Sequence, residues 1–380
     1  MSHDRGSAVE APAGGAGGAP GPVSGTGATA WGGIDRAAAG LHPAYFALVM
    51  ATGIVSLAAS VQGFAAIARG LFWLNLVFFG ALWALTFVRI VRHRARVIAD
   101  LKDHNRSVGF FTAVPGTCVL GSQALLIEGA TGFAWVLWIV GAVLWLLLTY
   151  TIFTTLTVKA IKPALADGLN GGWLVSIVAT QSVSVLAAQL AGTGGGREGL
   201  LFVALTMWLG GAMLYVWIIS LIFYRYTFFP FKPSDLAPPY WINMGAMAIS
   251  TLAGATLLLA GKESPLIRDL FPFIKGATLL FWATATWWIP MLIILGVWRH
   301  VVKKFPLRYD PLYWGAVFPL GMYSVATARM IGAGGQAGAM DLPFLNVVPP
   351  AFFYVAAGAW TLALIGLLHR LFTGQPKPHH

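Results

Sequence analysis

The sequence predicts an all-α polytopic membrane protein: ten transmembrane helices forming five hairpins in quasi-five-fold order, with the odd-numbered helices inside. Three observations carry this. The 380-residue chain is 58% hydrophobic and only 10% charged, with mean hydropathy +0.75, whereas soluble domains carry roughly 25% charged residues. Its apolar residues fall into ten segments, each near the ~20 residues that a bilayer core requires. Proline, glycine and small polar residues recur in every second segment.

Residues 1–40, rich in Gly, Ala, Pro and Ser, are expected to form a disordered cytoplasmic tail. They contain no apolar h-region, so no cleavable signal peptide is expected. The helical spans are read as 43–62, 71–91, 108–127, 132–155, 171–191, 199–223, 239–260, 274–298, 312–332 and 347–369. The membrane domain then covers 41–371, and 372–380 is a short C-terminal tail. Connections are short, so neighbouring helices form antiparallel hairpins.

The odd segments carry the residues that an ordinary helix avoids: Pro43 and Gly53, Pro115, Gly116 and Gly121, Gly171 and Gly172, Pro239, Gly245 and Gly254, Pro319 and Gly321. They also hold Thr52, Ser56, Thr112, Thr117, Ser176, Thr180, Gln181, Ser182, Asn243, Ser250, Thr251, Ser324 and Thr327. One such helix is accounted for by close packing of small residues. Five in alternation point to an inner ring lining a common path. The second, fourth, sixth and tenth segments are mostly Leu, Val, Ile, Phe and Trp, as a lipid-facing ring requires.

Loop charges set the topology. Arg89, Arg92, Arg94, Arg96, Lys102, Arg106, Lys159, Lys162, Arg225, Lys232, Arg299, Lys303, Lys304 and Arg308 follow the even helices. The alternate side has fewer: Arg69, Arg197, Lys262, Arg268, Lys275 and Arg329. The positive-inside rule places both termini in the cytoplasm. The net charge of +11 is therefore topogenic, and no nucleic-acid partner is implied.

The chemical inventory is mainly exclusive. None of the 13 Asp and Glu residues lies deep in a span, which argues against a carboxylate proton relay and suits an anion path. His42, His93, His104, His300 and His369 form no mid-membrane pair. No metal, haem or nucleotide motif appears, so no enzyme activity and no cofactor are expected. The single cysteine, Cys118, excludes an intrachain disulfide and reads as a small buried apolar residue.

The most informative segment is YWGAVFPLGMYSVATARM at 313–330. Pro319 deprives the Gly315 carbonyl of its partner, at about 3 kcal/mol, and biases Phe318 out of the α region. A broken helix is expected, with Phe318 as an aromatic plug and the N–H groups of Leu320, Gly321 and Met322 opening its second half toward an anion. Arg329 near the outer end of this helix is either a vestibule charge or a snorkelling interfacial arginine.

HPAYFALVMATGIVSLA at 42–58, NGGWLVSIVATQSVSVLAAQL at 170–190, PPYWINMGAMAISTLAG at 238–254 and YWGAVFPLGMYSVAT at 313–327 together resemble the tellurite-resistance/dicarboxylate transporter family. That family includes bacterial TehA, plant guard-cell slow anion channels, and the fungal malate permease and sulfite exporter. The resemblance covers about residues 42–370. It implies five hairpins around an inner pore of kinked helices, a homotrimer with one pore per subunit, and a phenylalanine on helix 9 that occludes the pore, matching Phe318. Tyr313 replaces the first Trp of that family stretch. The ATGIVS pattern of helix 1 looks closer to the dicarboxylate and sulfite branches.

The leading expectation is passive transport of small inorganic or carboxylate anions in a bacterial inner (plasma) membrane. Phe318 is the gate, and Pro319, Gly321, Gly53, Thr52, Pro115, Gly116, Thr117, Gly172, Ser176, Asn243, Gly245 and Ser324 shape or line the pore. The alternatives are a proton-coupled carrier for malate-like dicarboxylates or sulfite, with His42 as the nominee for proton carrier, and a membrane sensor or redox protein.

Overall fold

The computed structural model describes residues 30–194, 198–307, 309–332 and 340–373. In chain order the helices are α1 Ala30–Ala39, α2 Ala47–Val61, α3 Ala65–Arg92, α4 Arg94–Lys102, α5 Ala113–Glu128, α6 Thr131–Val158, α7 Leu165–Gly168, α8 Val175–Ala191, α9 Glu198–Phe228, α10 Ile242–Ala260, α11 Pro265–Asp269, α12 Phe271–Val297, α13 Trp314–Ile331 and α14 Val348–Thr373. Helices 28 to 31 residues long, such as α3, α6 and α9, outrun the apolar runs read from sequence because polar residues continue the helix beyond the hydrocarbon.

Burial separates two classes. The segments carrying α2, α5, α8 and α10 are between 78% and 94% buried, against 17% to 33% for α3, α6, α9, α12 and α14. These are the nine segments among the described residues that are long and apolar enough to cross a membrane. The tenth predicted span, α13, is not among them. Its proline, glycines, hydroxyls and Arg329 lower its hydropathy, and it is nonetheless buried apart from Ala316, Leu320 and Arg329. A helix enclosed by other helices has no need of a lipid-compatible surface.

The buried helices close on themselves: α2 touches α5, α5 touches α8, α8 touches α10, α10 touches α13, and α13 touches α2. Each also packs on its own outer partner, α3, α6, α9, α12 and α14 respectively. Every inner helix begins with a 3₁₀ turn, at Pro43–Phe46, Ser107–Thr112, Gly171–Leu174, Pro238–Trp241 and Pro311–Tyr313, and these turns touch in the same cyclic order. Three are capped from the side chain before them. His42 Nδ1, Asn170 Oδ1 and Asp310 Oδ1 accept from the N–H two residues on, at 3.1, 2.7 and 2.8 Å. Proline opens three of the turns, where its missing N–H costs nothing.

Polar ties complete the circle. Each outer helix donates to the inner helix of the next hairpin: Asn75 to Gln123 at 2.7 Å, Trp145 to Thr180 at 2.8 Å, Trp208 to the Ser250 carbonyl at 2.9 Å, Trp282 to Thr327 at 3.0 Å, and Trp360 to Thr52 at 3.0 Å. In an apolar medium such bonds fix the rotation of each helix. At the turn end, cations closing the outer helices bond to the chain leading into their own hairpin: Lys159 to the Lys102 carbonyl, Arg225 to the Ala166 carbonyl and Arg299 to the Leu236 carbonyl. Arg89 and Arg106 share the carboxylate of Asp100, each at 2.6 Å. Arg197 and Arg308 lie outside the described residues.

Three expectations need correction. Residues 30–39, read as part of a disordered tail, form α1, whose Asp35 lies 3.2 Å from Arg92 and 3.1 Å from His93; residues 1–29 lie outside the described residues. Phe372 and Thr373 continue α14, and 374–380 lie outside the described residues. Most consequentially, α13 does not break at Pro319: it is one helix from Trp314 to Ile331. Proline removes a single rung, and α10 packs directly against the ring, since a Cβ on Gly245 would lie 2.7 Å from Pro319 Cγ. In a continuous helix the N–H groups of Leu320, Gly321 and Met322 point to carbonyls four residues back and are not offered to an anion.

Candidate functional site

The ring encloses a cavity of about 400 Å³ lined by all five inner helices. Helical spacing orders its wall. Ile54, Cys118, Ser182, Ile249 and Met322 contribute one residue from each helix and are 0% to 2% exposed. Three residues further along, Leu57, Val185, Leu252 and Val325 are 4% to 6% exposed. At the rim, Ser60 and Leu126 are exposed, and Gln189, Leu259 and Arg329 are half-buried. Exposure rises steadily along the wall, so the cavity is a funnel, open at the end away from the 3₁₀ turns and closed at its floor. From Met322 to Arg329 it is about 10 Å deep at ~1.5 Å per residue.

Phe318, Met322, Val325 and Arg329 recur at helical spacing and form one stripe of α13. Phe318 therefore sits one turn, about 6 Å, beneath the floor, and it is fully buried. Arg329 forms no hydrogen bond, ion pair or ring contact with any described residue, and no carboxylate among the described residues lines the cavity. Among the described residues Arg329 is the single charged residue on a wall that is otherwise apolar apart from Ser60, Cys118, Ser122, Ser182 and Gln189.

Of the residues singled out from sequence, Ser182 and Arg329 line this cavity, as does Cys118, and Phe318 lies on the Arg329 stripe beneath the floor; the other pore candidates are not on its wall. A Cβ on Gly53 would meet Val119 at 2.5 Å and Asn75 at 2.9 Å, one on Gly116 would meet Val49 at 3.6 Å, and one on Gly321 would meet Ile54 at 2.9 Å. Gly53, Gly321 and Gly245 admit a neighbouring helix, whereas a Cβ on Gly116 would make only ordinary contact. Gly172 closes the turn capped by Asn170. Thr52 accepts from Trp360, Ser324 donates to the Pro349 carbonyl of α14 at 2.6 Å, and Asn243 reaches Tyr226 at 3.3 Å. Thr117 bonds to the Ala113 carbonyl of its own helix and Ser176 to the Trp173 carbonyl of the turn before its helix, and Pro115 is buried in α5. Thus most of these small and polar residues pack on or bond to neighbouring helices or satisfy local carbonyls, where the sequence reading had them face the path.

Sequence reasoning missed Ser60, Ser122 and Gln189. Their signal was present as spacing: Cys118 and Ser122 are four apart, and Ser182, Val185 and Gln189 follow i, i+3, i+7. Without knowing which face of a wholly buried helix looks inward, that spacing has no reference point. His42 has Nδ1 committed to its cap.

Comparison with known proteins agrees with this architecture. The family model for SLAC1, described as voltage-dependent anion channel, matches residues 40–368. The chain is 27% identical to an uncharacterized transporter of Methanocaldococcus jannaschii over 89% of its own length and 95% of the relative's. It is 23% identical to a sulfite efflux pump of Trichophyton rubrum, over 88% and 92% respectively. An uncharacterized membrane protein of Mycobacterium tuberculosis is 39% identical over 42% of this chain and 77% of its own. With 329 consecutive positions matched on a ring of five buried helices, this chain belongs to the SLAC1 family of voltage-dependent anion channels.

Proposed function

We propose that the protein carries small anions passively across a bacterial inner membrane along the axis of the five-helix ring, with Phe318 closing the path and Arg329 drawing anions into the open funnel. The observation that carries this is an arginine with no partner and no carboxylate beside it among the described residues of the cavity wall, in line with a buried phenylalanine. A lone cation in a low-dielectric funnel attracts anions and repels cations. The rest of the wall is weakly polar, which lets a bound ion leave.

The cations gathered at the turn end support a cytoplasmic location for that end and for both termini. The funnel then opens outward. A membrane potential negative inside favours anion efflux by about 2.3 kcal/mol per charge per 100 mV, so export needs no coupling ion. The sulfite efflux pump among the relatives supports an oxyanion as cargo. The family resemblance carries a homotrimer, which mass measurement of the detergent-free particle tests.

Reconstituted liposomes test the reading. Phe318→Ala raises passive anion flux, and adding Arg329→Gln to that opened protein lowers flux by about tenfold, as loss of one charge-assisted contact implies. Folded Phe318→Ala protein with wild-type flux would remove the gate from the account.

A further inference from the structure

Gln189 is the one side-chain amide on the cavity wall among the described residues. An amide is bipolar: its carbonyl repels an anion and its NH₂ attracts one. Which end faces the cavity therefore decides its effect. Ser122, on the neighbouring helix α5 and 4% exposed, donates its hydroxyl to Gln189 Oε1 at 2.7 Å. With the oxygen engaged, Nε2 keeps two N–H groups that have no partner among the described residues, on a half-buried side chain at the rim. In the ring, α10 separates α8 from α13 on one side, and α2 with α5 does so on the other. Gln189 and Arg329 thus stand on opposing walls of the same funnel.

We propose that Gln189 is an anion-selecting donor of this transport path, and that Ser122 is its positioning residue, holding the amide with nitrogen inward. This rests on the reading of the cavity as part of an anion path. Arg329 supplies attraction at any orientation, while Gln189 supplies direction. An oxyanion presents several acceptor oxygens with preferred donor directions, whereas a halide accepts equally from any direction and gains less from an oriented amide. Oxyanions therefore lose more than chloride when Gln189 is removed.

The experiment is anion flux from liposomes holding the full chain opened by Phe318→Ala, with sulfite, nitrate and chloride as probes and every variant made in that background. Gln189→Leu lowers sulfite and nitrate flux about tenfold and chloride flux less. Gln189→Glu, nearly the same shape, lowers flux of nitrate, which does not itself titrate, further at neutral pH, and that flux recovers as acidification neutralises the new carboxyl group. A merely structural tie would not produce that pH profile. Ser122→Ala gives an intermediate loss that Ser122→Thr restores.

Wild-type selectivity in Gln189→Leu, or a Gln189→Glu flux indifferent to pH, overturns the proposal. The pH profile is read within one sample, so reduced stability of a variant does not blur it. Arg329→Gln separates the two levels. If it lowers flux while the Gln189 variants do not, only the role of Gln189 falls; if it too is silent, the cavity is not on the path.

Discussion

Replacing Gly245 with alanine drives a methyl group into Pro319. The new Cβ would lie 2.7 Å from Pro319 Cγ, 2.9 Å from its Cβ and 3.3 Å from its Cα. Carbon atoms rest at about 3.5–4.0 Å, so α10 and α13 must part by nearly 1 Å. A pyrrolidine ring has no rotamer by which to retreat, and the backbone behind it is within reach of the same methyl. Overpacking of this kind costs about 1–3 kcal/mol, read as a lower melting temperature in detergent. Pro319→Ala removes the nearest of the three atoms and returns a donor to the Gly315 carbonyl. Gly245→Ala is therefore milder in the Pro319→Ala background, with a coupling of about 0.5 kcal/mol or more. Because α13 is already continuous, Pro319→Ala alone leaves Phe318 in place and passive flux low. Equal costs of Gly245→Ala in both backgrounds would refute the close contact, and a leak from Pro319→Ala alone would refute the continuous helix.

The Asp100 cluster gives two more predictions. Asp100→Asn leaves Arg89, whose side chain is 5% exposed, without its counter-ion, and costs about 3–5 kcal/mol in thermal unfolding of the purified protein. Burial alone would raise the Asp100 carboxyl, but hydrogen bonds and charge from Arg106 and Arg89 outweigh it and hold its pKa below the ordinary value. A carboxyl depressed by folding contributes stability above its unfolded pKa and loses it as pH falls through the folded one. Melting temperature thus declines below about pH 4, and Asp100→Asn flattens that decline.

The division into inner and outer helices was legible because it is compositional: Gly53, Thr52 and Ser324 mark helices surrounded by protein, while Val77, Leu146 and Trp217, each at least half exposed, mark helices facing lipid. The inward faces were not legible. An inner helix such as α8 meets α9, two ring neighbours and the cavity, so almost every residue is buried and no polar stripe singles out one side. Hydroxyls add no bearing, since Thr117, Ser250, Thr251 and Thr327 bond to carbonyls four residues back. Pro319 misled for a related reason: whether a proline parts a helix depends on what presses on it. Here Gly245 makes room for the ring, and the loss stays confined to one carbonyl. Phe318 kept its place in the reading because its stripe continues through Met322 and Val325 to Arg329.

The central claim is a passive, anion-selective path closed by Phe318. The most direct measurement is the reversal potential of Phe318→Ala protein in a planar bilayer under a salt gradient, with and without an added pH gradient. The account predicts a current that reverses near the Nernst potential of the anion and ignores the pH gradient. A reversal near the cation's potential, or one that follows protons, would contradict it.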